Sequence, residues 1–323
     1  MKSILVMGGA GYIGSHTVKH LVEQGYHCVV ADNLSSGHRE AVHPQAAFEE
    51  ADLLDPVSLE AVFSKYDFEA VLHFAAFASV GESVQDPQKY YQNNVIGTWN
   101  LLQAMLRHGV KKIVFSSTCA TYGEPQYTPI DEKHPQHPIN PYGRTKLVVE
   151  NIFADYAKAY GLKYIALRYF NAAGCSSDGS IGESHDPETH LIPLVLRAVQ
   201  GKRDCIQIFG TDYPTPDGTC LRDYIHVEDL AVAHRLALEK LDSYSGYINL
   251  GTGVKTSVKD IIAAVEAETG KKCPVRTAAR RAGDPAELYA ANGKAEEVLG
   301  WKPKYMLKDI IATAWNWEEH KKY

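Results

Sequence analysis

From residue 3 to about residue 170, short runs of apolar and β-branched residues alternate with longer stretches in which apolar positions recur every three to four residues. The first pattern suits buried strands and the second suits amphipathic helices. Strands are expected at 3–7, 27–31, 47–51, 70–74, 112–116 and 164–168, and helices at 13–23, 57–66, 90–107 and 142–160. Strands alternating with helices predict a parallel sheet covered on both faces, a Rossmann-type doubly wound α/β fold. The second half changes character. Loops rich in Gly, Pro, Asp and Thr at 174–188 and 210–218 separate helices expected at 191–200, 227–239, 258–268 and 307–317, which reads as a smaller, loop-rich C-terminal domain.

Composition narrows the class without naming an activity. The 323 residues are 45% apolar and 22% charged, with a formal net charge of −6 spread along the chain. No basic block recommends nucleic acid as a partner. The apolar run at the amino end is far too short for a membrane span, so a cytoplasmic protein with no membrane partner is expected. The six cysteines show no CxxC pair and no ligand-like His spacing, so reduced thiols and no metal are expected.

Two patterns carry chemistry. Gly8, Gly9, Gly11 and Gly14 follow the first expected strand and open the first expected helix. Glycine there lets the backbone turn tightly and approach a pyrophosphate, whose charge then sits at the helix amino end. Asp32 at the end of the second strand strengthens the match. Its carboxylate is able to accept bonds from the adenosine ribose hydroxyls and would repel a 2′-phosphate, which favours NAD over NADP. The expected division is therefore an NAD-binding domain at 1–175 and a substrate domain at 176–323. Its boundary is soft, because a later strand such as 247–250 is free to rejoin the first sheet.

The second pattern is Tyr142 and Lys146, four residues apart where a helix should begin. Asn140 suits the N-cap and Pro141 the first helical position, so both side chains lie on one face. A phenol of ordinary pKa needs roughly 4 kcal/mol of differential stabilisation to ionise near pH 7, and a neighbouring ammonium plus the helix end are candidates to supply it. A Tyr-x-x-x-Lys pair alone is usually an ordinary helix surface. Here it shares a chain with a nucleotide loop, and a phenolate base is expected.

The segments GGAGYIG at 8–14, DNLSSG at 32–37, HFAAF at 73–77, NNVIGT at 93–98, SSTCATYG at 116–123, PYGRTK at 141–146 and RYFNAAG at 168–174 resemble the extended short-chain dehydrogenase/reductase family. FGTDYPTPDGTCLRDYIHVEDLA at 209–231 and RRAGDP at 280–285 are similar to its branch that epimerises UDP-hexoses at C4. The resemblance covers essentially the whole chain. It implies reversible NAD-dependent interconversion of UDP-glucose and UDP-galactose through a transient 4-ketosugar, a place in galactose metabolism, and a homodimer formed by the helices near 90–107 and 142–160. Tyr142 is implied as the base for the sugar 4-hydroxyl, Lys146 as the holder of the nicotinamide ribose, and Thr118 as a second partner of that hydroxyl. Coenzyme contacts are implied at Tyr12, Ile13, Asp32, Asn33, Asp52, Leu53, Phe74, Ala75, Ala76, Asn93, Tyr142, Lys146 and Phe170, beside the glycines. Substrate contacts are implied at Asn171, Leu191, Gln207, Phe209, Arg222, Arg281 and Asp284, with two arginines suited to a diphosphate.

Four positions depart from some members. Ala78 stands in place of a lysine that would touch the coenzyme, and His190 in place of an asparagine at the diphosphate or sugar. Thr118 replaces a serine and keeps the hydroxyl. Leu288 replaces a bulky tyrosine beside the sugar, with Tyr289 as a rival to fill that space, so UDP-N-acetylhexosamines enter as further candidate substrates. The competing activities are a nucleotide-sugar 4,6-dehydratase, which wants an acid beside Thr118 where Cys119 and Ala120 stand, and a non-catalytic NAD-binding protein.

Overall fold

The alternating first half folds as an uninterrupted series of crossovers in the computed structural model, which describes residues 2–281 and 284–323. In chain order it runs β1 (Ser3–Met7), α1 (Tyr12–Glu23), β2 (Cys28–Asp32), β3 (Ala47–Glu50), α2 (Pro56–Lys65) and β4 (Phe68–His73). Next come α3 (Val80–Gln85), α4 (Pro87–Tyr90), a π-helical turn (Tyr91–Gly97), α5 (Thr98–Arg107), β5 (Lys112–Thr118), α6 (Pro141–Tyr160) and β6 (Lys163–Tyr169). The second half adds β7 (Asn171–Ala173), α7 (Leu191–Val199), β8 (Ile206–Phe209), β9 (Leu221–Arg222), β10 (Tyr224–His226), α8 (Val227–Lys240) and β11 (Gly246–Leu250). It closes with β12 (Thr256–Ser257), α9 (Val258–Thr269), β13 (Val275–Ala278), β14 (Glu287–Leu288), α10 (Gly293–Leu299) and α11 (Leu307–Glu319).

Seven strands form one parallel sheet in the order β11-β6-β5-β4-β1-β2-β3. This is a Rossmann-type doubly wound sheet. Val18 and Leu21 of α1 and Leu230, Ala233 and Ala237 of α8 fill one face. Leu59 and Val62 of α2, Leu101 and Met105 of α5 and Val149 and Phe153 of α6 fill the other. Burial on both faces explains why the inner strands read as continuous apolar runs, whereas the edge strand β3 is only partly buried. The smaller body packs α7, α9 and α11 around Val195, Ile261, Ile310 and Trp317. Strand order reverses between β1 and β4, so a crevice opens at their carboxyl ends, the usual ligand position in such sheets.

The stretch 90–107 departs from the single helix its periodicity predicts. It is α4, a π-helical turn and α5. Asn94 explains the break: its amide donates to Phe77 O at 3.0 Å and Thr145 Oγ1 at 3.2 Å, and its carbonyl accepts from Phe77 N at 3.0 Å. A side chain recruited between two segments favours the wider turn, and such turns gather at functional sites.

Candidate active site

The loop after β1 is shaped by close approach. Gly8 has φ of +83°, and a Cβ there would lie 2.4 Å from Ala75 N; a Cβ on Gly14 would lie 2.2 Å from Gly8 O. Gly11 caps α1 with no side-chain hydrogen bond, so the first-turn N–H groups carry no side-chain acceptor. That is a cradle for a phosphate. Asp32 is buried and already works for the loop: Oδ2 accepts from Ala10 N and Oδ1 from Leu34 N, both at 2.9 Å. Each oxygen keeps a second lone pair for a ribose hydroxyl. Burial raises its pKa, and the two backbone donors oppose that rise. The cradle and the acceptor together fit an adenine dinucleotide.

Helix α6 begins as its residues predict. Asn140 caps it by accepting from Gly143 N at 2.8 Å, and Pro141 fills the first turn. Tyr142 and Lys146 are thereby both buried beside Thr118 at the end of β5. Lys146 Nζ donates to Ser116 O at 2.9 Å and lies 5.9 Å from the centroid of the Tyr142 ring. The expected easing of the phenol toward ionisation is not a property of the protein alone. Burial pushes the Tyr142 pKa up, against the Thr118 hydroxyl, and burial pulls Lys146 down to about 7. The reason is that helix spacing aligns the two residues but also carries both out of water.

Behind them stands a buried ion pair that sequence reasoning missed. Arg168 on β6 bonds Glu150 on α6 through Nε at 2.9 Å and Nη2 at 2.6 Å, while Ser117 Oγ reaches Glu150 at 2.6 Å. Arg168 also donates to Tyr122 Oη at 2.9 Å, which in turn donates to Asn249 Oδ1 at 2.7 Å. Glu150 lies one turn beyond Lys146, a spacing that was the available signal. The network ties α6 to β5, β6 and β11.

Across the crevice the partners sit on short elements. Arg222 on β9 donates to Leu221 O at 2.7 Å and Pro285 O at 3.0 Å, and pairs with Asp284. The Arg281 guanidinium stacks 3.9 Å above the Phe209 ring at the end of β8. Residues 282 and 283 of the RRAGDP segment lie outside the described residues. Leu288 on β14 packs against the Cys119, Tyr122, Ile130, Phe170 and Ala290 cluster and borders the cleft. Its rival Tyr289 lies instead under Lys255, whose Nζ is 4.7 Å from the ring centroid.

These walls enclose one cleft of about 1050 Å³. It is lined by the coenzyme candidates Gly8, Gly11, Tyr12, Ile13, Gly14, Asp32, Asn33, Leu53, Phe74, Ala75, Ala76, Asn93 and Phe170, by Ala78, and by Thr118, Tyr142 and Lys146. Asn171, His190, Leu191, Gln207, Phe209, Arg222, Arg281, Asp284 and Leu288 line the rest. Asp52 is the exception. Its side chain turns back to accept from Asn33 Nδ2 at 2.9 Å and Leu54 N at 2.7 Å, so it shapes the loop rather than the wall. His190 is not a lone polar contact either: its Nδ1 lies 2.9 Å from Glu188 and 3.0 Å from Glu183. Burial lowers its pKa, but the two carboxylates prevail and hold it at about 10.

Residues 4–251 match the NAD dependent epimerase/dehydratase family. The chain belongs to that family. Within the NAD dependent epimerase/dehydratase family it is 54% identical to the UDP-glucose 4-epimerase of Halalkalibacterium halodurans, over 98% of this chain and 96% of that one. It is 53% identical to the UDP-glucose 4-epimerase of Lacticaseibacillus casei, over 98% and 97%. Among solved structures it is similar to UDP-glucose 4-epimerase from Brucella ovis in complex with NAD, with a TM-score of 0.95 and 54% identity over 98% of both chains. The Bifidobacterium longum UDP-glucose 4-epimerase in complex with NAD+ and UDP superposes with a TM-score of 0.93 at 37% identity, over 99% of both chains.

Proposed function

We propose that this chain interconverts UDP-glucose and UDP-galactose by NAD-dependent epimerisation at C4, through a transient 4-ketosugar, in galactose metabolism. The observation that carries the reading is the convergence of Thr118, Tyr142 and Lys146 on the same cleft as the glycine cradle and the Arg222 and Arg281 wall. The named relatives support it. When bound, NAD supplies an acceptor for the C4 hydride, its return, and a positive charge at the nicotinamide. The protein's own part is to hold and move a proton. As the phenolate, Tyr142 Oη takes the proton of the sugar 4-hydroxyl, with Thr118 as its hydrogen-bond partner, and gives it back after the sugar has turned. Lys146 holds the coenzyme ribose. Arg222 and Arg281 hold the diphosphate, whereas Leu288 borders the hexose without a polar contact. Firm anchoring at UDP and loose contact at the sugar suit a substrate that must rotate between two half-reactions.

The 4,6-dehydratase reading is disfavoured because elimination wants an acid beside Thr118, where Cys119 and Ala120 stand, and burial raises the Cys119 thiol pKa further. Incubation with UDP-galactose, with and without added NAD+, tests the assignment. UDP-glucose as product supports it; a 4-keto-6-deoxy sugar or no turnover overturns it.

The same reading includes residues 1–175 as the NAD domain and 176–323 as the UDP-sugar domain. α8 and β11 come from the second stretch and pack with the first, which supports a soft boundary. It also includes a homodimer in the cytoplasm. Tyr91 and Ile96 on the π-helical turn, Trp99 on α5 and Val148 and Tyr160 on α6 are exposed apolar side chains that a partner would cover. All six cysteines are free, and among the described residues no helix is long and apolar enough to cross a membrane. Light scattering at micromolar protein concentration distinguishes dimer from monomer.

A further inference from the structure

The stretch between β7 and α7 gathers two carboxylates and two imidazoles on one point. Glu183, His185, Glu188 and His190 each offer one ligand atom, and these atoms lie within 4.8 Å of one another. His185 Nδ1 is 3.3 Å from Glu183 Oε1 and 3.6 Å from Glu188 Oε2. His190 Nδ1 is 3.0 Å from Glu183 Oε1 and 2.9 Å from Glu188 Oε1. Four ligands at the usual zinc distances of about 2.0–2.1 Å define a tetrahedron with edges of about 3.3 Å, and the His–Glu separations, reached through either oxygen of Glu188, lie on both sides of that value.

Hydrogen bonding alone leaves the group unsatisfied. The Glu183 side chain is only 6% exposed, and its Oε1 has no aligned donor; the same holds for Glu188 Oε2 and His185 Nδ1. Two Nδ1 atoms face the same pair of carboxylates, and one N–H proton serves only one oxygen well. The backbone is held for the purpose: Trp317 Nε1 donates to Glu183 O at 2.9 Å, and Glu188 Oε1 accepts from Thr189 N and His190 N, both at 2.8 Å.

We propose that Glu183, His185, Glu188 and His190 bind one divalent first-row transition-metal cation of zinc type in a closed, four-coordinate structural site. The cation displaces the protons that the carboxylates otherwise hold on the imidazoles, and two carboxylates with two neutral imidazoles then leave a neutral complex and no open position, so the ion holds shape rather than reacts. It fastens this loop to the start of α7, where His190 is the N-cap residue, and to the glycine loop, since the Tyr12 ring stands edge-on to His185 at 6.0 Å between centroids. Unlike the reading of the cleft, this one does not depend on which sugar reacts.

The test uses the full chain with its coenzyme, stripped of metal by a pyridine dicarboxylate chelator and then titrated with Zn2+ or Co2+. One Zn2+ per chain is expected by atomic emission, with a rise in Tm on metal addition. The Co2+ form should show the intense visible bands of four-coordination and no near-ultraviolet thiolate band. The double variant His185→Ala/Glu188→Gln should lose Zn2+ affinity by at least about 100-fold. No retained metal and no Tm response in the unmodified protein, a thiolate band from the cysteines, or unchanged affinity in a folded variant each overturns the site. If the variant does not fold, the Co2+ spectrum of the unmodified protein decides.

Discussion

Thr118, Tyr142 and Lys146 stand on a seven-residue strand and a twenty-residue helix, whereas Arg222 and Leu288 stand on strands of two residues and Gln207 on one of four. The first wall is buried, braced by the Glu150–Arg168 pair and held by the central sheet. The second is partly exposed, and of its two arginines Arg222 is paired with Asp284 and Arg281 is stacked on Phe209. A wall that moves a proton has to place atoms to fractions of an ångström, and regular elements do that best. A wall that holds a flexible nucleotide needs charge and reach more than rigidity.

This contrast predicts that damage to the first wall lowers turnover and damage to the second lowers affinity. The largest effect is expected for Tyr142→Phe, with kcat for UDP-galactose down by at least about a hundredfold and KM little changed. Steady-state kinetics check it, and near-native turnover would remove Tyr142 from the chemistry. For Arg222→Ala the split reverses: KM should rise by about 10- to 100-fold, since a bond to a charged group is lost and Asp284 loses its partner. A fall confined to kcat would break the comparison.

Leu288→Tyr sharpens it further, because Leu288 borders the cleft on the affinity wall, where the hexose is proposed to lie. The unmodified protein should interconvert UDP-N-acetylglucosamine and UDP-N-acetylgalactosamine. The variant should lose that pair by about tenfold more than the unsubstituted pair, the scale a few heavy atoms command in a pocket. Equal losses for the two pairs would show that Leu288 is no gate. Asp32→Ala should relax the preference for NAD over NADP by about tenfold, as like-charge repulsion disappears. The ratio of the two affinities is the measurement, because the variant also releases Ala10 N and Leu34 N and loosens the loop for both coenzymes.

The last effect is on stability rather than on turnover or affinity, and it is one of pH. Burial lowers Lys146 from 10.5 to about 7, so between those values the unfolded chain binds more protons than the folded one. The coenzyme-free protein therefore gains stability from this group as pH rises from about 7 toward 10.5 and loses it as pH falls through 7. Lys146→Met should flatten that part of the curve, measured by urea unfolding across the window. A parallel shift at every pH would show that the lysine is not desolvated.

The strands that β-branched runs announce, the glycine loop, Asp32 and the capped start of α6 were legible because each is a local device: a run, a turn or a cap lies within a few neighbouring residues. Tyr142 and Lys146 were legible for the same reason. The π-helical turn was not, since it depends on Asn94 finding Phe77 and Thr145, which no periodicity records. The short strands β7 to β10 carried too few residues for a pattern to show. Asp52 kept its place in the loop but turned to Asn33, and the Glu183, His185, Glu188 and His190 group escaped a search tuned to cysteine pairs and regular His spacing.

By itself, then, the chain's order of residues determined the parallel sheet, the nucleotide cradle and the spacing of Tyr142 and Lys146, because these follow from backbone sterics and helix geometry over short spans. Only the tertiary structure decided that Leu288 rather than Tyr289 borders the cleft, that Lys146 is carried out of water, and that Arg222 faces Asp284 across sixty-two residues of chain. Those outcomes depend on burial and on which distant segments meet, and the free energy that fixes them is released only when the two bodies pack.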